Sequence, residues 1–292
     1  MSMSDVTETS LIPPDKRPRR RGAWWDIFPW LVLVVLVALT LFGGLLTPHD
    51  PNAQDISQRL LPPVWSGGSA EHLLGTDQLG RDLLSLLIAG GQISLVVAIS
   101  AALIEALVGL TVGVIAGYFG GHIERVLMQW TEIQMAFPIL LIFMVVILSF
   151  GHSLPVIILA LALNGWMIFA RVGRSAVKTL RSRGFVEASI GIGAHPRWVM
   201  LQHIFPHIRG QAVTLLLIEI ARLILAESGA SFLGLGVQPP LVSWGLVLGS
   251  SRDYIPIAYH LAMFPGLAIV LAVLGLNLLS QFARRRLEGG TS

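Results

Sequence analysis

Cysteine is absent from the 292 residues, and only 13% of them are charged. Without cysteine the chain can form neither a disulfide framework nor a thiolate nucleophile or thiolate metal site. So few charges, together with 54% hydrophobic residues, exclude an ordinary soluble protein of this length. The composition therefore predicts a polytopic protein embedded in a membrane.

Signatures of phosphate binding and of zinc catalysis are missing as well. The sequence has no G-x-x-x-x-G-K-[ST] segment, so it lacks the backbone cradle and lysine that bind nucleotide phosphates. Its eight histidines are scattered, and no pair has the H-E-x-x-H spacing of a zinc helix. We therefore predict no catalytic residue, no metal site and no cofactor on this chain. A membrane-embedded enzyme would need polar residues that converge at one depth, and the sequence shows none.

Hydrophobic runs long enough to cross a hydrocarbon core of roughly 30 Å divide the sequence. They predict an all-α, polytopic fold with six transmembrane helices. The basic residues before the first run resemble a signal peptide, but the run is too long and no cleavage site follows, so we expect a retained span. The helices are expected at about residues 27–46, 93–118, 124–148 with a kink at Pro138, 154–170, 211–226 and 257–279.

Four regions follow from this pattern of spans. The ends are basic and polar, and the first of them has too little apolar surface to fold alone. In order, the regions are a disordered basic cytoplasmic tail at 1–26, a first span with an extracytoplasmic segment at 27–91, a core of five spans at 92–282 that includes a cytoplasmic loop at 171–210, and a basic cytoplasmic tail at 283–292.

Lysine and arginine are distributed unevenly between the two sides of the predicted helices. Sixteen lie on the side of the termini and of the 171–210 loop, against three on the opposite side. Because loops rich in Lys and Arg stay in the cytoplasm, this bias predicts that both termini and the loop are cytoplasmic. The bias also explains the sequence pI of about 9.8 better than a nucleic-acid partner does.

Three ionisable residues stand out within the predicted spans, because a charged group inside the bilayer costs roughly 2.5 to 3.5 kcal/mol by insertion scales. Glu105 lies in the middle of the second span, and Glu219 and Arg222 lie three residues apart on the fifth, close enough to pair. Two interpretations stay open. We favour a structural pair that stabilises the bundle, and the alternative is a role in a substrate pathway.

The long cytoplasmic loop contains the stretch on which the functional prediction depends. We expect a short helix through Glu187, a turn at Gly191 and Gly193, and a second helix that begins at Pro196 and is ended by Pro206.

Small side chains in the first half of this stretch would let another surface approach the backbone closely. Phe185, Val186 and Ile190 would offer that surface an apolar anchor. For Glu187 we favour a docking contact over general-base catalysis, because no nucleophile or metal partner is evident beside it.

The spacing Glu187-Ala188-Ser189, three residues, Gly193 and then Pro206 resembles the EAA loop of ABC-importer permeases. In that family the loop is the cytoplasmic coupling helix that docks into a separate ATPase. Ser189 stands where the family usually has Ala, which is a mild departure. The resemblance implies that these five residues couple the chain to an ATPase.

Three other segments resemble the dipeptide, oligopeptide and nickel permeases of the same family. They are Leu-Gly-Thr-Asp-Gln-Leu-Gly-Arg-Asp at 74–82, His-Ile-Phe-Pro at 203–206, and the glycine- and proline-rich stretch at 231–240. The resemblance implies a type I importer permease of the bacterial inner membrane. It also implies a heterodimer with a second permease, two ATP-binding subunits that hydrolyse ATP, and an extracytoplasmic substrate-binding protein.

The substrate that this resemblance implies is a di- or oligopeptide, with nickel as the alternative. The permease sequence does not decide between them, because the binding protein largely selects the ligand. A stand-alone secondary transporter is a third possibility, but such proteins often show inverted repeats, which we do not find.

Overall fold

The computed structural model describes residues 24–289, with side chains described from 27 to 285. Most of the predicted tail at 1–26 and the last three residues of the tail at 283–292 lie outside the described residues. Within the described part, the backbone is helical apart from loops, turns and one isolated bridge between Thr76 and Asp82. The predicted all-α fold class is confirmed.

The helices account for most of the described chain. Short 3-10 turns lie at Ile56–Gln58, Val64–Ser66 and Arg252–Tyr254, and a π-helical turn lies at Val199–Ile204. The α-helices are α1 (Trp24–Leu46), α2 (Leu83–Phe119), α3 (Gly121–Met135), α4 (Ile139–Phe150), α5 (Leu154–Ala162), α6 (Trp166–Arg181), α7 (Gly184–Gly191), α8 (Pro196–Trp198), α9 (Phe205–Phe232), α10 (Trp244–Ser251) and α11 (His260–Gly289).

Three of the described helices, α1, α2 and α11, are long and apolar enough to cross a membrane unbroken. Two bent pairs, α3 with α4 and α5 with α6, raise the number of candidate spans in the described residues to five. Helix α9 occupies the predicted fifth span and has 28 residues, but it carries Glu219, Arg222 and Glu227. The length of α9 is therefore sufficient for one more span, which would make six, although its charged residues exclude it from a search by composition alone.

The predicted kink at Pro138 is a sharper break than expected. Helix α3 ends at Met135, α4 begins at Ile139, and the two axes are bent by 85°. Proline lacks a donor for the helical ladder and disfavours the α conformation of the residue before it, so the chain can turn here. The third span predicted at 124–148 is therefore not one kinked helix.

Helices α2 and α6 pack with their backbones close together. Gly109, Gly113 and Gly117 recur at every fourth residue on the side of α2 that faces α6. A Cβ atom at Gly113 would overlap the carbonyl of Ala170, and one at Gly117 would lie 2.8 Å from the carbonyl oxygen of Arg174. Small residues at this spacing are what close helix association in lipid requires.

The largest buried cluster lies where α2, α4, α5, α9 and α11 meet. Leu95, Phe143, Ile157 and Ile224 are each no more than 1% exposed there. This cluster fixes α9 against the long helix α2.

Residues 47–82 form a cap over the N-terminal end of α2. Gly75 and Gly80 adopt positive φ values of 85° and 74°, which favour glycine. Asp77 pairs with Arg81 at 2.7 Å, and Asp82 caps α2 by accepting a hydrogen bond from the Ser85 backbone N–H at 2.8 Å. The residues of the 74–82 motif therefore form these turns and the N-cap of α2, which explains the motif structurally.

Candidate functional site

Helix α7 forms the short helix predicted through Glu187, and it ends in a glycine-dependent turn. Gly193 has a φ of +82°. Its backbone N–H donates to the carbonyl of Ile190 at 2.9 Å, and the N–H of Ala194 donates to the carbonyl of Ser189 at 3.1 Å. This pair of bonds is the Schellman arrangement, which places glycine at the left-handed position.

The inner side of α7 packs against the membrane helices. Val186 is fully buried in a cluster with Tyr118 of α2, Val177 and Leu180 of α6, and the π-helical turn. The prediction that Val186 would anchor another protein is therefore wrong, because residues of this chain already cover its side chain.

Ser189 also lies on the inner side and is 9% exposed. Its hydroxyl donates to the carbonyl of Phe185 at 2.9 Å and lies 3.4 Å from Nε2 of His203. Ser189 therefore belongs to the interior of the loop. A docked partner would not contact its side chain directly, although this position usually holds Ala in the family.

The outer side of α7 is open to solvent. Glu187 and Ala188 are exposed, and Ile192 is 85% exposed. Phe185 and Ile190 are exposed by somewhat more than a third, and the Phe185 ring stacks on His207 with centroids 5.3 Å apart. The loop thus presents an acid, small residues and apolar side chains on one face, which suits docking into a groove.

The second half of the loop differs from the prediction. Pro196 begins α8 as expected, but Pro206 does not end the following helix. The π-helical turn leads directly into α9, with the Phe205 N–H bonded to the carbonyl of Met200, and Pro206 lies in the first turn of α9. Pro206 lacks the N–H that would continue this ladder, and the π-helical turn lies where the ladder is interrupted.

Charged side chains connect the loop region to the ends of α2 and α3. Glu124 of α3 pairs with Arg174 and, at 2.9 Å, with Lys178, both on α6. Arg181 donates to the carbonyl of Tyr118. Beside them lies an open cleft of about 560 Å³, lined in part by Glu124, Lys178, Arg181 and Glu187. These contacts join α6 to α2 and α3, and α7 packs on α2 and α6 through Val186.

The three charged residues singled out from the sequence lie together. Arg222 pairs with Glu219 on its own helix, and its Nη2 atom also lies 3.1 Å from Oε1 of Glu105 on α2. Glu105 is fully buried, and among the described residues its Oε2 atom has no hydrogen-bond partner. Gly165 leaves the space that the Glu105 carboxylate occupies. The arrangement links α2 to α9 across the membrane-spanning region.

Glu227, a second buried carboxylate on α9, was missed in the sequence because the fifth span was predicted to end at residue 226, which placed Glu227 in the following connection. It is fully buried and accepts hydrogen bonds from Ser94 at 3.0 Å and from Ser231 at 2.6 Å. The Ser94 hydroxyl in turn accepts the backbone N–H of Trp244 at 3.2 Å. This network joins α2, α9 and α10.

Comparison with known families identifies the class of protein that this fold and loop define. Residues 109–292 match the family described as "Binding-protein-dependent transport system inner membrane component", and residues 30–63 match the "N-terminal TM domain of oligopeptide transport permease C". The chain belongs to the family of binding-protein-dependent transport system inner membrane components. It is accordingly a membrane-spanning transport component of the inner membrane.

Two curated relatives illustrate the particular branch. The chain is 36% identical over 259 residues to the di/tripeptide transport system permease protein DppC of Pseudomonas aeruginosa (strain UCBPP-PA14), which covers 88% of this chain and 86% of that protein. It is 35% identical over 259 residues to the glutathione transport system permease protein GsiD of Escherichia coli O157:H7, which covers 88% of this chain and 84% of that protein.

Solved structures agree with this assignment at the level of the fold. Two inward-facing structures of the MetNI methionine ABC transporter superpose with TM-scores of 0.57 and 0.55 at 20% and 22% identity. Each alignment covers 71% of this chain and 97% of the matched chain. The predicted type I importer fold is confirmed.

Proposed function

We propose that this chain is a permease subunit of an ATP-driven importer of di- or oligopeptides and that it forms half of the translocation pathway. The observation that carries the proposal is α7, whose inner side is packed on the membrane helices and whose outer side is open. Peptide import is supported by the names of the two curated relatives, which describe di/tripeptide and glutathione transport.

The partners in this proposal are a second permease, two ATP-binding subunits and an extracytoplasmic substrate-binding protein. ATP hydrolysis belongs to the ATP-binding subunits. The uneven distribution of Lys and Arg supports cytoplasmic termini and a cytoplasmic α7 loop.

The exposure of Arg222 supports a second membrane subunit beside α9. Its side chain is 32% exposed in the isolated chain, at a position surrounded by apolar residues. A guanidinium that faced lipid at this depth would cost about 2.5 to 3.5 kcal/mol, so such a group normally faces protein or water. The exposed part of the Arg222 side chain would face either the partner permease or the water-filled pathway between the two permeases. We favour a structural role for the three charges, which hold α9 against α2.

Coupling would work through the contacts of α7. When the ATPase subunits close, the groove that holds α7 moves, and Val186 transmits the motion to α2 and α6 through the cluster around Tyr118. The ATPase can shift the permease between inward and outward access only if it contacts α7 differently in the two states. The Schellman turn at Gly193 fixes the end of α7 through two backbone hydrogen bonds.

Affinity purification of the tagged chain from mild detergent, followed by mass spectrometry and by peptide uptake in cells, tests the proposal. We expect two P-loop ATPases, a second permease and uptake that unlabelled dipeptides inhibit. A homo-oligomer without an ATPase would contradict the importer assignment, and uptake that nickel but not peptides inhibits would contradict the substrate assignment.

A further inference from the structure

The cap over α2 brings together three metal-ligating side chains that are far apart in the sequence. His49 follows α1, His72 lies in the cap, and Asp82 is the N-cap residue of α2. One ligand atom from each of them lies within 4.8 Å of the other two. We propose that they bind a divalent transition-metal ion of the Zn²⁺ or Ni²⁺ type.

The distances suit such an ion. Nδ1 of His72 lies 3.0 Å from Oδ1 of Asp82, and Nδ1 of His49 lies 3.7 Å from Oδ2 of Asp82. Ligands held at the usual 2.0 to 2.1 Å from a tetrahedral zinc ion are about 3.3 Å apart. The two distances to the Asp82 carboxylate lie near that value, and the three ligand atoms, which lie within 4.8 Å of one another, would draw together around the ion. Imidazole and carboxylate donors are a set that zinc and nickel accept, whereas calcium and magnesium prefer oxygen alone.

Hydrogen bonds around the cluster orient the ligands as a metal site requires. Nε2 of His72 lies 3.1 Å from Oε1 of Gln58, which can accept its proton and leave Nδ1 free to bind the ion. Oδ2 of Asp82 accepts the backbone N–H and the hydroxyl of Ser85 at 2.8 and 2.7 Å, which fixes the carboxylate. Two of the three ligands, His72 and Asp82, are thus oriented by neighbouring side chains.

The strongest single indication is Nδ1 of His49. This atom is buried and, among the described residues, has no hydrogen-bond partner. A buried polar atom without a partner destabilises the folded chain, and a metal ion would supply the missing partner. The imidazole as a whole is 35% exposed, so an ion could enter from solvent. The site lies at the end of α2 opposite the α7 loop.

The test measures metal binding by the full chain, purified in detergent with an affinity tag that lacks histidine and stripped with a chelator. Zn²⁺ is titrated by calorimetry, and Co²⁺ is titrated by its visible absorption, which reports coordination geometry independently of transport. His49→Ala removes a ligand without removing a hydrogen bond to Nδ1. His152→Ala is the matched control, because His152 is bonded to the carbonyl of Gly236 instead.

We expect about one ion per chain and a loss of affinity of at least about ten-fold in His49→Ala, with His152→Ala unchanged. Asp82→Asn, which keeps a capping oxygen but loses the charge, should weaken binding in the same way. Absence of stoichiometric binding in the parent chain would overturn the proposal. So would equal affinity in the parent chain and His49→Ala. Neither result bears on peptide import.

Discussion

Replacement of Gly193 tests whether the turn after α7 positions the coupling helix. The residue has a φ of +82°, and a Cβ atom there would meet nothing within 4 Å. A side chain at this position therefore meets no steric clash with its surroundings, and only the left-handed backbone is penalised. That penalty is about 1 to 2 kcal/mol for an ordinary L-residue, which is roughly a 5- to 30-fold change in the population of the turn.

The identity of the new residue sets the expected order. Asn tolerates the left-handed region best, Ala less well, and β-branched Val least. Gly193→Asn should therefore be mildest, Gly193→Ala intermediate and Gly193→Val most severe. Gly184→Ala is the matched control, because Gly184 begins α7 without a positive φ and also has open space around it.

Two assays measure the effect of these substitutions. Hydrogen exchange of the amides around residues 190–194 should quicken by roughly 5- to 30-fold in Gly193→Ala and should not quicken in Gly184→Ala. Uptake of a labelled dipeptide, normalised to the amount of chain in the membrane, should be highest in Gly193→Asn, lower in Gly193→Ala and lowest in Gly193→Val. Equal effects of all three residues, or normal uptake in Gly193→Val, would refute the reasoning.

Substitutions at four further positions test how the helices are held together. Gly113→Leu should lower the free energy of unfolding by about 1 to 3 kcal/mol or more, because it overpacks the contact between α2 and α6. Thermal unfolding in detergent, monitored by size-exclusion chromatography, measures this loss of stability. Arg222→Met should cost about 3 to 5 kcal/mol in the same assay, because it leaves two buried carboxylates without a counter-charge. Glu105→Gln should reduce assembly but leave uptake per assembled complex unchanged, and a loss of uptake in assembled complexes would favour the pathway role instead. Glu227→Leu should cost about 1 to 3 kcal/mol, since buried serine hydroxyls lose their acceptor, whereas Glu227→Gln should cost less; equal unfolding midpoints would contradict this.

Local patterns in the sequence predicted the parts of the fold that depend on neighbouring residues. Continuous apolar runs predicted α1, α2 and α11, and the three-residue spacing of Glu219 and Arg222 predicted that the two could pair. The glycine turn at Gly193 was predicted for the same reason, since its conformation depends on a few adjacent residues. These features need no knowledge of distant packing.

Features that depend on distant contacts could not be predicted in this way. Val186 is as apolar as its exposed neighbours, and only its position against Tyr118 makes it buried. Pro206 was predicted to end a helix but lies in the first turn of α9, because the π-helical turn joins the two helical segments. His49 and His72 show no metal-binding spacing, because the fold of the cap rather than a helix brings them together.

The proposed docking of α7 onto a separate ATPase is tested most directly by site-specific cross-linking. The chain has no cysteine, so Ala188→Cys provides one thiol on the exposed side of α7 that can carry a photoactivated cross-linker. Ala53→Cys, exposed in the cap at the other end of α2, is the control. We predict that membranes containing Ala188→Cys yield a cross-linked P-loop ATPase and that those containing Ala53→Cys do not. Equal yields from the two positions, or cross-links from Ala188→Cys only to other copies of this chain, would contradict the coupling role of α7.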